Sequence, residues 1–133
     1  MMQHKINGMK YPIFNVGYKA WDLVILGDFF LYDEIYKGGE DFFKTYYLHQ
    51  IFVDCNGNTF KLIGKTPIKS FYSFFLPKRY RLNFEDIERR IELEELKKLL
   101  TERTLQIKSD AARNEIYRQV KNSQSIEELL RGF

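Results

Sequence analysis

Residues able to do acid–base, nucleophilic or metal chemistry are few and scattered in this chain. Its 133 residues include two histidines, His4 and His49, and one cysteine, Cys55. A single cysteine excludes an internal disulfide and any multi-cysteine zinc site. A catalytic or metal-binding histidine needs an oriented acidic, thiol or histidine partner. With residues 42–54 read as a strand, His49 falls on the core face and Cys55 lies at the hairpin end, about 20 Å along an extended chain. The two cannot form a dyad there, so His49 is expected to be buried, structural and free of metal. Asp22, Asp28, Asp33 and Glu34 offer carboxylates, but Asp22 and Asp28 share a strand face at about 20 Å, against the roughly 10 Å that paired-carboxylate hydrolysis needs. Gly64-Lys65-Thr66 matches only the last letters of a phosphate loop, without the glycine-rich stretch before it. Asp54-Cys55-Asn56-Gly57-Asn58 lacks the ligand spacing and terminal glutamate of a calcium loop. These patterns assign no catalytic residue, no cofactor and no metal, and a non-enzymatic role is the expectation.

The sharpest surface feature is Lys78-Arg79-Tyr80-Arg81, with Lys65 and Lys69 upstream. Cations interleaved with aromatics can grip phosphate and stack bases, yet the net charge is only +3, from 21 basic and 18 acidic residues. Residues 1–84 carry 11 basic against 7 acidic side chains, and residues 85–133 carry 10 against 11. So mild an asymmetry is what ordinary solvated charge gives, lysine and arginine at an edge simply preventing aggregation; as a contact surface the run favours an acidic protein partner over nucleic acid. Pro77 stops the preceding element, so Lys78, Arg79, Tyr80 and Arg81 open a new segment at the sheet edge. Alternation puts Arg79 and Arg81 on one side and Tyr80 on the other. An unpaired edge would also offer backbone groups to an incoming strand. Trp21 is a second candidate contact, because aromatic anchors are enriched at interfaces.

These residues must be positioned by one core. The length supports a single domain spanning 1–133, and a composition 44% hydrophobic and 17% aromatic excludes disorder. Twenty of the 22 aromatic residues precede residue 85; glutamate, lysine, arginine and leucine dominate after it. Aromatic and β-branched residues suit sheets, and the later set suits helices. The expected fold is therefore α+β: an antiparallel meander of four to five strands, then C-terminal helices packed on one face.

Asn56-Gly57 between apolar runs predicts a two-residue hairpin turn, with Val53 opposite Phe60, Ile51 opposite Leu62 and His49 opposite Gly64. Residues 21–36 read as a strand, bulged or broken at Gly27-Asp28, turning through 37–41 onto 42–54 so that Ile35 meets Phe43. Ile13–Tyr18 is a further strand. Thr66-Pro67 could cap and open a short helix over 67–76, although its aromatics also suit a strand. Tyr80, Leu82 and Phe84 predict a short edge strand. The helical half is expected to open at Asn83, with Leu82 and Ile87 as a staple and i, i+4 pairs Glu85–Arg89 and Glu94–Lys98. Ser109-Asp110 starts a second helix, and Ser125–Glu128 is a capping box for a last one, ended by Gly132.

No apolar run approaches the ~18 residues that span a bilayer, and the N-terminus carries no signal core. With one cysteine, a cytoplasmic protein is the expectation. The function that fits is a non-enzymatic protein-binding module, such as a small bacterial immunity- or antitoxin-type protein that neutralises a partner by complex formation. The alternatives are a small hydrophobic-ligand binder, with a pocket between sheet and helices, and a weak nucleic-acid binder acting through residues 78–81.

Overall fold

A computed structural model describes residues 8–21, 26–69 and 78–133. It is an α+β fold built on one six-stranded sheet. In chain order the strands are β1 (Ile13–Asn15), β2 (Phe30–Leu31), β3 (Ile35–Tyr36), β4 (Ile51–Val53), β5 (Asn58–Pro67) and β6 (Tyr80–Arg90). Their spatial order is β2-β1-β4-β5-β6-β3, and every pairing is antiparallel. Three helices follow: α2 (Leu93–Thr104), α3 (Asp110–Asn122) and α4 (Ile126–Arg131). They cover one face, where Phe14, Val53 and Phe30 pack with Leu96, Leu100, Ile116 and Leu129. On the opposite face Ile13, Phe52, Leu62 and Leu82 pack with Phe43 and Tyr47. The latter two belong to a short helical segment, α1 (Glu40–Phe42), which widens into a π-helical turn over Phe43–Tyr47.

The Asn-Gly hairpin forms one residue out of the expected register. Val53 pairs with Thr59, Phe52 with Phe60 and Ile51 with Lys61. The loop is Cys55-Asn56-Gly57, closed by Gly57 N–H donating to the Asp54 carbonyl at 3.0 Å, with Gly57 at φ +87°. That is a tight turn followed by a left-handed glycine, the three-residue hairpin solution. Asp54 selects it. Its fully buried carboxylate accepts the N–H groups of Asn56 (2.9 Å) and Asn58 (3.0 Å) on Oδ1, and of Lys10 (3.1 Å) on Oδ2. A one-residue slip normally throws an apolar face into water. Here both faces are covered, so Phe52 and Val53 are satisfied in either register and the turn decides.

The expected strand 42–54 is real only at Ile51–Val53. Phe42, Phe43, Tyr46 and Tyr47 recur at helical spacing, and Phe43 and Tyr47 are buried against the sheet. Leu48 N–H closes the π turn on the Phe43 carbonyl at 2.9 Å. The chain then reverses at His49, which has φ +67° and donates its N–H to the Leu62 carbonyl at 2.7 Å. His49 is therefore exposed, not buried on a core face. Ile35 pairs with Arg81, not with Phe43. Gly27-Asp28 marks a break: Leu26–Phe29 is a 3₁₀ turn leading into β2.

The expected helix start at Asn83 is also displaced. Residues 80–90 form β6, because β5 offers a long edge along which Tyr80, Leu82 and Phe84 alternate, and pairing overrides the helix propensity of the glutamates and arginines behind them. Thr66 and Pro67 end β5 and do not open a helix. Ile68 N–H still reaches the Arg79 carbonyl (2.8 Å), and residues 70–76 of the expected 67–76 helix lie outside the described residues. Beyond β6 the sequence signals locate the helices well. Leu96, Leu100 and Thr104 form the buried stripe of α2. Ser109 Oγ accepts from Ala112 N–H at the start of α3, and Ser125 Oγ from Glu128 N–H at the start of α4.

Candidate functional site

β3, β5 and β6 end together at one corner of the sheet. Tyr80 has Tyr36 as its Cα partner on one side and Pro67 on the other. One residue further out, Lys37, Ile68 and Arg79 continue these three strands, which lie about 5 Å apart. Lys69 and Lys78 follow on the two outgoing arms. Lys37, Lys69 and Lys78 are exposed and Arg79 is half-buried. Among the described residues none of these four forms an ion pair.

The remaining cations of this corner are already engaged. Lys65 is nearly covered, with 11% of its side chain exposed. Its ammonium lies 3.7 Å from the Tyr80 ring centroid and 5.0 Å from that of Phe43, and it donates to Glu40 Oε1 at 2.6 Å. That hydrogen bond holds the Glu40 carboxyl below its usual range. Burial, with the nearby Glu40 charge as a lesser cause, raises the pKa of Tyr36. Arg81 is exposed and lies 3.4 Å from Glu34 Oε1. Of the expected contact residues, Lys78 and Arg79 are thus available, Arg81 is paired, and Tyr80 is half-buried against Lys65.

Two expectations about this surface are corrected. The strand carrying Arg79 and Arg81 is not an open edge there, because β3 pairs with it at Tyr80 and Arg81. The Ile35 N–H of β3 is itself occupied by Asp33 Oδ1 at 2.7 Å. Trp21 is not a surface anchor but a core residue, 1% exposed. Its ring stacks on Phe29 (centroids 4.9 Å apart), and its indole N–H donates to the Tyr18 carbonyl at 3.1 Å. A strand of large apolar residues looks the same from its sequence whether it faces a partner or a core. Lys37 escaped the sequence reading because only the β3–β6 pairing brings it beside Arg79.

Elsewhere the reactive groups are quiet. The buried Cys55 thiol donates to the Pro12 carbonyl (3.4 Å), and burial pushes its pKa up, away from the reactive thiolate. Among the described residues no group of three or more His, Cys, Asp or Glu side chains is placed to hold a metal ion, and no helix is long and apolar enough to cross a membrane. The chemistry this corner offers is contact between exposed cationic side chains and anionic groups at the end of a paired sheet. No protein-family model, no curated protein and no solved structure matches the chain.

Proposed function

We propose that this protein is a non-enzymatic protein-binding module, of the immunity or antitoxin kind, that engages its partner through the sheet corner carrying Lys78, Arg79, Tyr80 and Arg81. The observation that supports this most is the lack of any ion pair at Lys78 and Arg79 among the described residues, while their neighbours Arg81 and Lys65 are matched to Glu34 and Glu40. A cation pair left unmatched on a strand end has charge to offer a partner. The Ile68 N–H bond to the Arg79 carbonyl (2.8 Å) and the pairing of Tyr80 next to it position the Arg79 backbone, which reduces the ordering cost of association.

The test is affinity capture of the full chain's partner, followed by titration of the purified pair. Replacing Lys78→Ser and Arg79→Ser together is expected to weaken binding by about tenfold or more with an unchanged melting temperature. Affinity within about twofold of the parent would remove this corner from the interface. Failure to isolate any stoichiometric partner would overturn the module reading itself.

A further inference from the structure

We infer that the partner surface is an acidic protein patch with separate carboxylates, met by Lys37, Lys69, Lys78 and Arg79 acting as one cationic cluster. This inference rests on the protein-binding reading and specifies its partner.

Three observations carry it. First, the register gathers these residues from three strand ends: Tyr36 and Pro67 both flank Tyr80, and the four cations stand one or two residues beyond. Second, the cluster has a carboxylate border. Asp33 and Asp41 are exposed, form no ion pair among the described residues and bracket Lys37 in the chain on either side, beside Glu34 and Glu40, which Arg81 and Lys65 already match. A nucleic acid carries a negative charge about every 1.7 Å of duplex, and an anionic bilayer is a continuous plane; either would meet this border as well as the cations. A protein can set individual carboxylates against the lysines and leave neutral or basic groups opposite the border. Such charge juxtaposition is what gives interfaces their specificity.

Third, the contact is made by side chains rather than by strand addition. β3 is only two residues long, and its Ile35 N–H is capped by Asp33. Lysine is depleted in interface cores. Three lysines and one arginine therefore describe a steering rim, whose loss acts first on association rate and salt dependence.

The experiment uses two quadruple variants of equal charge. One is Lys37→Ser, Lys69→Ser, Lys78→Ser and Arg79→Ser. The other, on the helical side, is Lys97→Ser, Lys98→Ser, Lys108→Ser and Lys121→Ser. The probes are a short poly-L-glutamate, an oligothymidylate of equal charge and phosphatidylserine vesicles. The parent protein is expected to bind poly-L-glutamate best, and carbodiimide coupling should join it to Lys37, Lys69 or Lys78. The corner variant should lose about tenfold in affinity, and the helical variant should stay within about twofold. Equal losses in both variants would reduce the effect to net charge and overturn the inference. Tighter binding of oligothymidylate or vesicles than of poly-L-glutamate would overturn it in favour of a nucleic acid or a membrane. If a captured natural partner still binds the corner variant at full affinity, the inference fails while the module reading stands. If no partner is captured, the module reading fails independently of the probe results.

Discussion

At the scale of single residues, Asp54 and Gly57 have the clearest physical roles. Asp54 satisfies three backbone donors around the hairpin, and a buried carboxylate is tolerated because those donors replace its water. Gly57 must hold φ +87°, and a Cβ there would lie 2.5 Å from the Ile91 carbonyl oxygen, whose own N–H donates to the Gly57 carbonyl at 2.7 Å. Backbone strain alone makes Gly57→Val cost about 1–3 kcal/mol. Asparagine tolerates positive φ, but its Cβ meets the same oxygen. Gly57→Asn is therefore expected to destabilise nearly as much as Gly57→Val in denaturant titrations. A near-native midpoint for Gly57→Asn would show that φ, not the approach of Ile91, is what glycine serves there.

At the scale of elements, the helical segment 40–47 is held to the sheet by Phe43 and Tyr47 from within and by Lys65 at its rim. The Lys65 ammonium bridges the Tyr80 ring on β6 and Glu40 at the start of α1. Lys65→Met keeps the apolar stem and removes the charge. It should lower stability by about 0.5–2 kcal/mol, the range for a largely desolvated cation–π contact, and should speed hydrogen exchange of the 40–47 amides more than that of β4 and β5. Uniform exchange across all three would show that the segment is held by its aromatics alone. The same contact is acid-sensitive. Glu40 has a lowered carboxyl pKa in the folded state, so its contribution is complete above the ordinary value of 4.5 and fades as pH falls through the folded value.

At the scale of the whole molecule, two packed layers on opposite faces make the sheet insensitive to water and sensitive to alkali. Tyr11 is pushed up to about 12 by burial and by the charges of Glu34 and Asp33, and burial also raises Tyr47, whose hydroxyl donates to the Asp28 carbonyl. Between the ordinary tyrosine value of 10.0 and the folded value, the native state binds more protons than the unfolded one. Stability is therefore complete below pH 10 and falls as pH rises through that window. On the acid side, Glu40 and Glu127 are both held low, so stability falls below about pH 4.5. Denaturant titrations from pH 3 to pH 12 should give a plateau with these two shoulders. Absorbance at 295 nm should show a late group among the nine tyrosines that ionises together with unfolding. Ionisation of all of them near pH 10 with the fold intact would contradict the burial of Tyr11 and Tyr47.

The amino-acid sequence by itself determined whatever rests on local chemistry. The serines before α3 and α4 and the presence of a hairpin near Asn56-Gly57, though not its loop length or register, depend on neighbours within a few residues, and the division into aromatic sheet and charged helices follows from composition. The tertiary structure decided whatever depends on which partner a segment finds. Residues 42–47 have aromatics at spacings that suit a strand or a helix, and the helix is the form that buries Phe43 and Tyr47 together against Phe52 and Leu62 of the sheet. Residues 83–90 have helix-forming side chains, and the edge of β5 made them a strand. The Asp54 turn chose a register that two buried faces left open. At the candidate site the basic run 78–81 was legible, but the pairing of Arg81 with Glu34, the pairing of Lys65 with Glu40 and the arrival of Lys37 beside Arg79 were not. Charge is written residue by residue, whereas neutralisation depends on distances that only the pairing of β3, β5 and β6 establishes.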